Sequence, residues 1–203
     1  MGITHPFVTA EPDDGTSDVS ADEWNDDHTI SNVGWTDNIP CVLEIPEGVV
    51  AYPDVHALAT GSTKITGFVL PNGAASSTIN FKCKVPDDLH ATPAALLRVT
   101  IMTLGVVSPT KNIRLLAQHV AIADTEDADI ALVDTSASSE ETVAMSVTTE
   151  TLDVYTATFQ TQPVAGDLII GQLTRDPVDG ADDFTDDVMI VAIELIIDRQ
   201  VSG

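Results

Sequence analysis

Ser77–Val85 reads STINFKCKV, and its alternation decides the fold: Ile79, Phe81, Cys83 and Val85 fall on one side, Thr78, Asn80, Lys82 and Lys84 on the other. Period two is the mark of a strand with one buried and one wet face, because successive side chains of an extended chain point in opposite directions. Seven further β-favouring runs follow: AALLRVTIMTL, NIRLLAQHVAIA, DIALV, TVAMSVTT, DVYTATFQTQ, DLIIGQLTR and DVMIVAIELIID. Between them lie PDDLHATP, GVVSPTK, DTEDA, DTSASSEE, PVAG and DPVDGADDFTD, rich in the Pro, Gly, Asp and Ser that turns require. Periodicity alone also admits a helix for NIRLLAQHVAIA, but its neighbours are strands and no capping box precedes it.

Eight short strands without a convincing helix predict an all-β protein, an antiparallel β-sandwich whose count matches an eight-stranded jelly roll. An immunoglobulin-like sandwich, with a different connection order, is the alternative. Residues 1–76 differ in character, being rich in Asp, Pro, Gly and Thr with short apolar pieces such as CVLEI and KITGFVL. They are expected to form an extended acidic N-terminal arm carrying a few short strands, with 77–203 as the body.

Among 203 residues, 32 Asp and Glu stand against 8 Lys and Arg, a formal net charge of -24. Nucleic acid is a poor partner for such a chain, because phosphate binding relies on Lys and Arg displacing counterions, and an anionic membrane surface is disfavoured by the same sign. Self-repulsion on this scale is relieved at about 1 M salt, where the screening length falls to roughly 3 Å, so a halophilic source is expected. The start MGITHPFV has neither a basic region nor a long apolar run, which predicts a protein made and kept without export. VMIVAIELII contains Glu194 and is too short to span a bilayer. Cys41 and Cys83 do not make a disulfide framework in a chain of this length and are expected as two buried thiols.

Chemistry is sparse. His5, His28, His56, His90 and His119 are scattered without metal-ligand spacing, and no nucleophile elbow or phosphate-binding glycine loop is present. No cofactor and no catalysis are expected. The acid-rich loop after Arg175 is the one place where a metal is considered: Asp176, Asp179, Asp182 and Asp183 supply the hard oxygens that a structural calcium prefers, though not at EF-hand spacing. The competing reading pairs Arg175 with a neighbouring Asp to fix the base of the loop.

Trp24 stands in SADEWNDDHTI, before any strand-rich segment. It either folds back on its own domain or serves as an anchor in a partner, since buried aromatic anchors dominate interface energetics. The segment THPFVTAEPDDGTSDVSADEWNDDHTI resembles the N-terminal segment of structural proteins of tailed phages and related viruses, through His5, Pro6, Phe7 and Val8 and then Trp24, Asn25, Asp27, His28 and Thr29. More loosely, the C-terminal part resembles jelly-roll modules of virion proteins in its Val85-Pro86 turn, its turn at Ala165, Gly166 and Asp167, and its strand ending at Arg175 and Asp176.

The resemblance implies assembly rather than catalysis. The expected protein is a capsid decoration or cement protein on the exterior of a virion, made in the host cytoplasm. It would dock on the major capsid protein or another virion protein through His5, Phe7, Trp24, Asn25, Asp27 and His28, and associate with itself as a homotrimer. A tail or fibre component recognising a host-surface glycan is the alternative. A carbohydrate-binding module or cupin-like enzyme is the third reading, weakened because Phe81, Tyr155, Phe159 and Phe184 are the only aromatics of the body.

Overall fold

A computed structural model describes residues 34–200 except 60, 62, 74–75, 90–93, 106–110, 124–132, 135–140, 147 and 160. The expected interface anchors His5, Phe7, Trp24, Asn25, Asp27 and His28 lie outside the described residues.

Among the described residues twelve strands run in chain order: β1 (Gly34–Pro40), β2 (Val42–Glu44), β3 (Tyr52–Ala57), β4 (Lys64–Leu70), β5 (Ser77–Lys84), β6 (Leu96–Thr103), β7 (Lys111–Ile122), β8 (Val133–Asp134), β9 (Glu141–Met145), β10 (Leu152–Thr158), β11 (Leu168–Arg175) and β12 (Val188–Gln200). They form two antiparallel sheets. Sheet A has the order β10-β6-β12-β4-β3 with β1 also on β12, and sheet B has the order β2-β5-β11-β7-β8 with β9 also on β7.

Within these sheets β4-β12-β6-β10 faces β5-β11-β7-β9, which is the strand order of a jelly roll and not of an immunoglobulin sandwich. The run NIRLLAQHVAIA is strand as far as Ile122, within β7. Seven of the eight expected runs appear, in β5 to β7 and β9 to β12, while of DIALV only Val133 is described, in β8; the first strand of the jelly roll is β4, and β8 and β9 share one edge of β7. Residues 34–70, anticipated as arm, supply β1, β3 and β4 to sheet A and β2 to sheet B. Their apolar residues are few because most sit at sheet edges, where one flank and one face remain wet.

The core lies between the sheets, where Ile79 and Phe81 of β5, Leu115 of β7 and Leu173 of β11 meet Leu97 and Ile101 of β6 and Leu195 of β12, all fully buried. Gly171 stands opposite Phe81 and has no room for a side chain. The two turns singled out in the sequence hold each other: Val85 N donates to Asp167 O at 2.8 Å, and Gly166 N to Val85 O at 3.2 Å.

A second, smaller apolar cluster lies on the outside of sheet A. Val69, Met189 and Met102 occupy one row across β4, β12 and β6, and all three are fully buried. Leu58, Ile65, Leu104 and Val191 pack against them. The register of β12 slips between Ile190 and Ala192, a bulge at Val191. Gly67 permits the close approach of β4, since a Cβ there would come within 2.5 Å of Ile190 O and 2.6 Å of Met189 Cγ. The apolar residues on both faces of β12 are therefore in part covered within the chain.

The end of β3 is latched to the turn before β10. Glu150, at φ 61°, accepts from Ala59 N at 3.0 Å and lies 3.1 Å from His56 Nε2. The Ala59 N–H, then His56, hold the Glu150 carboxyl below its ordinary value. A depressed carboxylate adds stability above its unfolded pKa and loses it as pH falls through the folded value. Acidification below the usual glutamate range, or Glu150→Ala at neutral pH, is thus expected to lower the hydrogen-exchange protection of Leu58 and Ala59, relative to their intrinsic rates at the same pH, while the β6 and β12 amides stay protected. Unchanged exchange at Leu58 and Ala59 would show that the latch holds nothing.

Candidate functional site

The outer face of sheet B differs from the rest of this acidic molecule. In β5, β11 and β7 the residues between the core positions point outward. The antiparallel register sets Asn80 opposite Gln172, and Gln172 opposite Gln118, so three amide side chains form one row across three adjacent strands. All three are half-buried. Asn80 Oδ1 is shielded from solvent without a hydrogen-bond partner, an unmet acceptor in this row.

Neighbouring rows frame it. On one side Thr78 and Thr174 are joined through their hydroxyls at 2.9 Å, with Leu116 next in register. On the other, Lys82, Ile170 and Val120 align, followed by Lys84, Leu168 and Ile122. Lys84 Nζ also reaches the carbonyl of Gly166. Arg114 projects from β7 and donates to Thr142 Oγ1 at 3.1 Å.

Among the described residues, the outward positions of β5, β11 and β7 carry no carboxylate, in a chain with 32 of them. Three of the eight basic residues, Lys82, Lys84 and Arg114, lie on this face. Acids appear at its margins: Glu44 on β2 pairs with Lys82, and Asp134 on β8 stands opposite Gln118 in the register. An amide offers both donors and an acceptor without charge, so a row of them suits a ligand presenting many hydroxyls. Sequence reading placed Asn80 on the wet side of its strand but missed the row. Nothing local in the sequence announces it, because the three amides come from strands far apart in the chain.

The acid-rich loop is organised by Arg175. Its guanidinium, fully buried, makes a two-pronged pair with Asp182, Nε to Oδ2 and Nη2 to Oδ1, each at 2.9 Å. It also donates to the carbonyls of Leu70, Asp186 and Phe184 at 3.2, 3.0 and 2.7 Å, and lies 5.7 Å from the Phe184 ring centroid.

The carboxylates considered for calcium turn to separate partners. Asp182 also accepts from Arg114 N, Asp183 from Asn112 N and Lys111 Nζ, Asp179 from Ala181 N and Asp176 from Val178 N. Among the described residues no three His, Cys, Asp or Glu converge as a metal would need. The Asn112 N–H, then Lys111, lower the Asp183 pKa.

The other singled-out residues among those described are structural in their placement. His119 is buried edge-on against Phe159, centroids 4.6 Å apart, and desolvation lowers its pKa. Phe81, Tyr155, Phe159 and Phe184 are all buried, so none forms a stacking platform. Trp35 is partly exposed, beside the Arg199 guanidinium at 5.5 Å. Arg199 in turn binds Asp88 through Nε and Nη2 at 2.9 and 2.8 Å, and Asp37 through Nη1 at 3.0 Å.

No protein-family model matches this sequence, and no curated protein does. Solved structures similar to it include a xylan-binding domain from CBM 22, 11% identical with a TM-score of 0.41, over 76% of this chain and 86% of that one. Others are a mannan-recognising carbohydrate-binding module, TmCBM27, 11% identical, TM-score 0.34, over 83% and 89%, and the K1 cleaved adhesin domain of Lys-gingipain from Porphyromonas gingivalis, 10% identical, TM-score 0.42, over 85% and 100%. Likeness this remote says nothing about ligand or partner.

Proposed function

We propose that this chain is a non-enzymatic surface protein of a virion whose jelly-roll body recognises a glycan through the outer face of sheet B. The observation that carries the glycan reading is the acid-free row of Asn80, Gln172 and Gln118. Elsewhere the chain accumulates carboxylates, which repel anionic ligands and hold water tightly; here it presents amides, hydroxyls and Lys. Neutral and anionic sugars fit such a surface, and binding rests on hydrogen bonds without an aromatic platform.

The virion reading is supported by the sequence from His5 to Thr29. Decoration of the capsid by that segment is compatible with this reading, since β1, which follows it, is paired along β12 and tied by Arg199. In that arrangement the N-terminal segment docks, trimers form among the bodies, and sheet B faces outward.

Gln172→Ala is the decisive variant. Its side chain is half-exposed, so the fold is expected to survive, while affinity for glycans selected by the parent protein on a glycan array falls about tenfold or more, the effect of losing one or two well-placed hydrogen bonds. Retained affinity in Gln172→Ala, or an array on which the folded parent binds nothing, would remove the glycan reading.

A further inference from the structure

We propose that Cys41 and Cys83, the only two cysteines of the chain, form an intramolecular disulfide that fastens the crossing between the two sheets. Cys41 lies between β1 and β2, where the chain leaves sheet A for sheet B, and its N–H still donates to Ile193 O of β12 at 2.8 Å. The next residues pair with β5, Val42 with Lys82 and Leu43 with Phe81. Continuing that antiparallel register by one residue sets Cys41 opposite Cys83.

Opposed residues of an antiparallel pair have Cα atoms about 4.5–5.5 Å apart, inside the roughly 4.4–6.8 Å span that a disulfide bridges without backbone movement. The two thiols are free, and Cys83 lies near enough to Cys41 to perturb its thiol. Cys83 is buried in the main core, and Cys41 packs at its margin with partial exposure, which gives an oxidant access to one sulfur and leaves the second protected behind it.

The bond forms by exchange with a small-molecule disulfide. The Cys41 thiolate attacks one sulfur of that reagent and releases its first half as a thiolate. The Cys83 thiolate then attacks the Cys41 sulfur and releases the second half, so two protein thiols are oxidised while one reagent disulfide is reduced to two thiols. Contact with Cys83, and then burial, push the Cys41 thiol well above its ordinary pKa. Only thiolate attacks, so closure is slow near neutrality and accelerates with pH.

The test uses the full chain, reduced and folded, then exposed to excess oxidised glutathione at about pH 7 and about pH 9, conditions that bracket the ordinary thiol pKa. The expected product has lost two hydrogens by intact mass, shows a Cys41–Cys83 link in a non-reducing peptide map, forms faster at the higher pH, and melts about 5 °C or more above the reduced protein. Cys41→Ser is expected to keep the fold and lose this redox-dependent shift. Two free thiols after prolonged oxidation at the higher pH would overturn the proposal. So would a persistent glutathione adduct on Cys41, disulfide-linked dimers, or the same shift in Cys41→Ser.

Discussion

Asp182→Ala is expected to destabilise the protein by about 3–5 kcal/mol in urea unfolding, the scale on which breaking a buried ion pair strands its partner. Arg175 is fully buried, and Asp182 supplies its counter-charge through two parallel bonds. The carbonyls of Leu70, Phe184 and Asp186 would remain as acceptors, but they carry no compensating charge. Arg175→Met combined with Asp182→Leu is expected to recover most of the loss, because an apolar pair needs no counter-ion. A single variant within about 1 kcal/mol of the parent would mean that water reaches Arg175 and that the loop is not held as described.

The second large effect concerns Gly171. A Cβ at this position would stand 2.2 Å from Phe81 Cζ and 2.5 Å from Gln118 O. The ring is locked in the core and the carbonyl belongs to the neighbouring strand, so neither yields cheaply. Gly171→Val is expected to cost about 3 kcal/mol, the upper part of the overpacking range, and to displace Gln172 beside it, lowering glycan affinity along with stability. A Val variant that melts with the parent would show that β11 and β5 can separate without loss. Gly171→Val combined with Phe81→Leu, which clears the ring, is expected to regain part of the stability.

Both effects bear on what could be read from residues alone. The two-residue period of STINFKCKV survives intact as β5, and Arg175 was legible as the organiser of its loop because it is a rare cation at the mouth of an acid-rich segment. KITGFVL was legible as apolar but not as the first strand of a jelly roll, since its place is set by pairing with β12, far along the chain. The cover that Val69 and Met102 give to Met189 on the outer face of β12 was illegible for a related reason. Two-sided apolarity in a strand signals burial on both faces without saying what covers them. The amide row was illegible altogether, because Asn80, Gln172 and Gln118 become neighbours only when the β5-β11-β7 register is set.

The pairing of β1 along β12 has a mechanical consequence. Seven residues of β1, from Gly34 to Pro40, pair with Gln200 back to Glu194. Ladder bonds lie perpendicular to the strands. A pull on residue 34 directed along β1, away from the sandwich, therefore loads the bonds of this ladder together, in shear, whereas a pull across the sheet opens them one pair at a time. If the proposed docking through the N-terminal segment holds, that tether would resist axial tension and peel under lateral drag. Forced detachment is governed by the unfolding rate, so direction of pull, more than equilibrium stability, sets how long such a tether lasts.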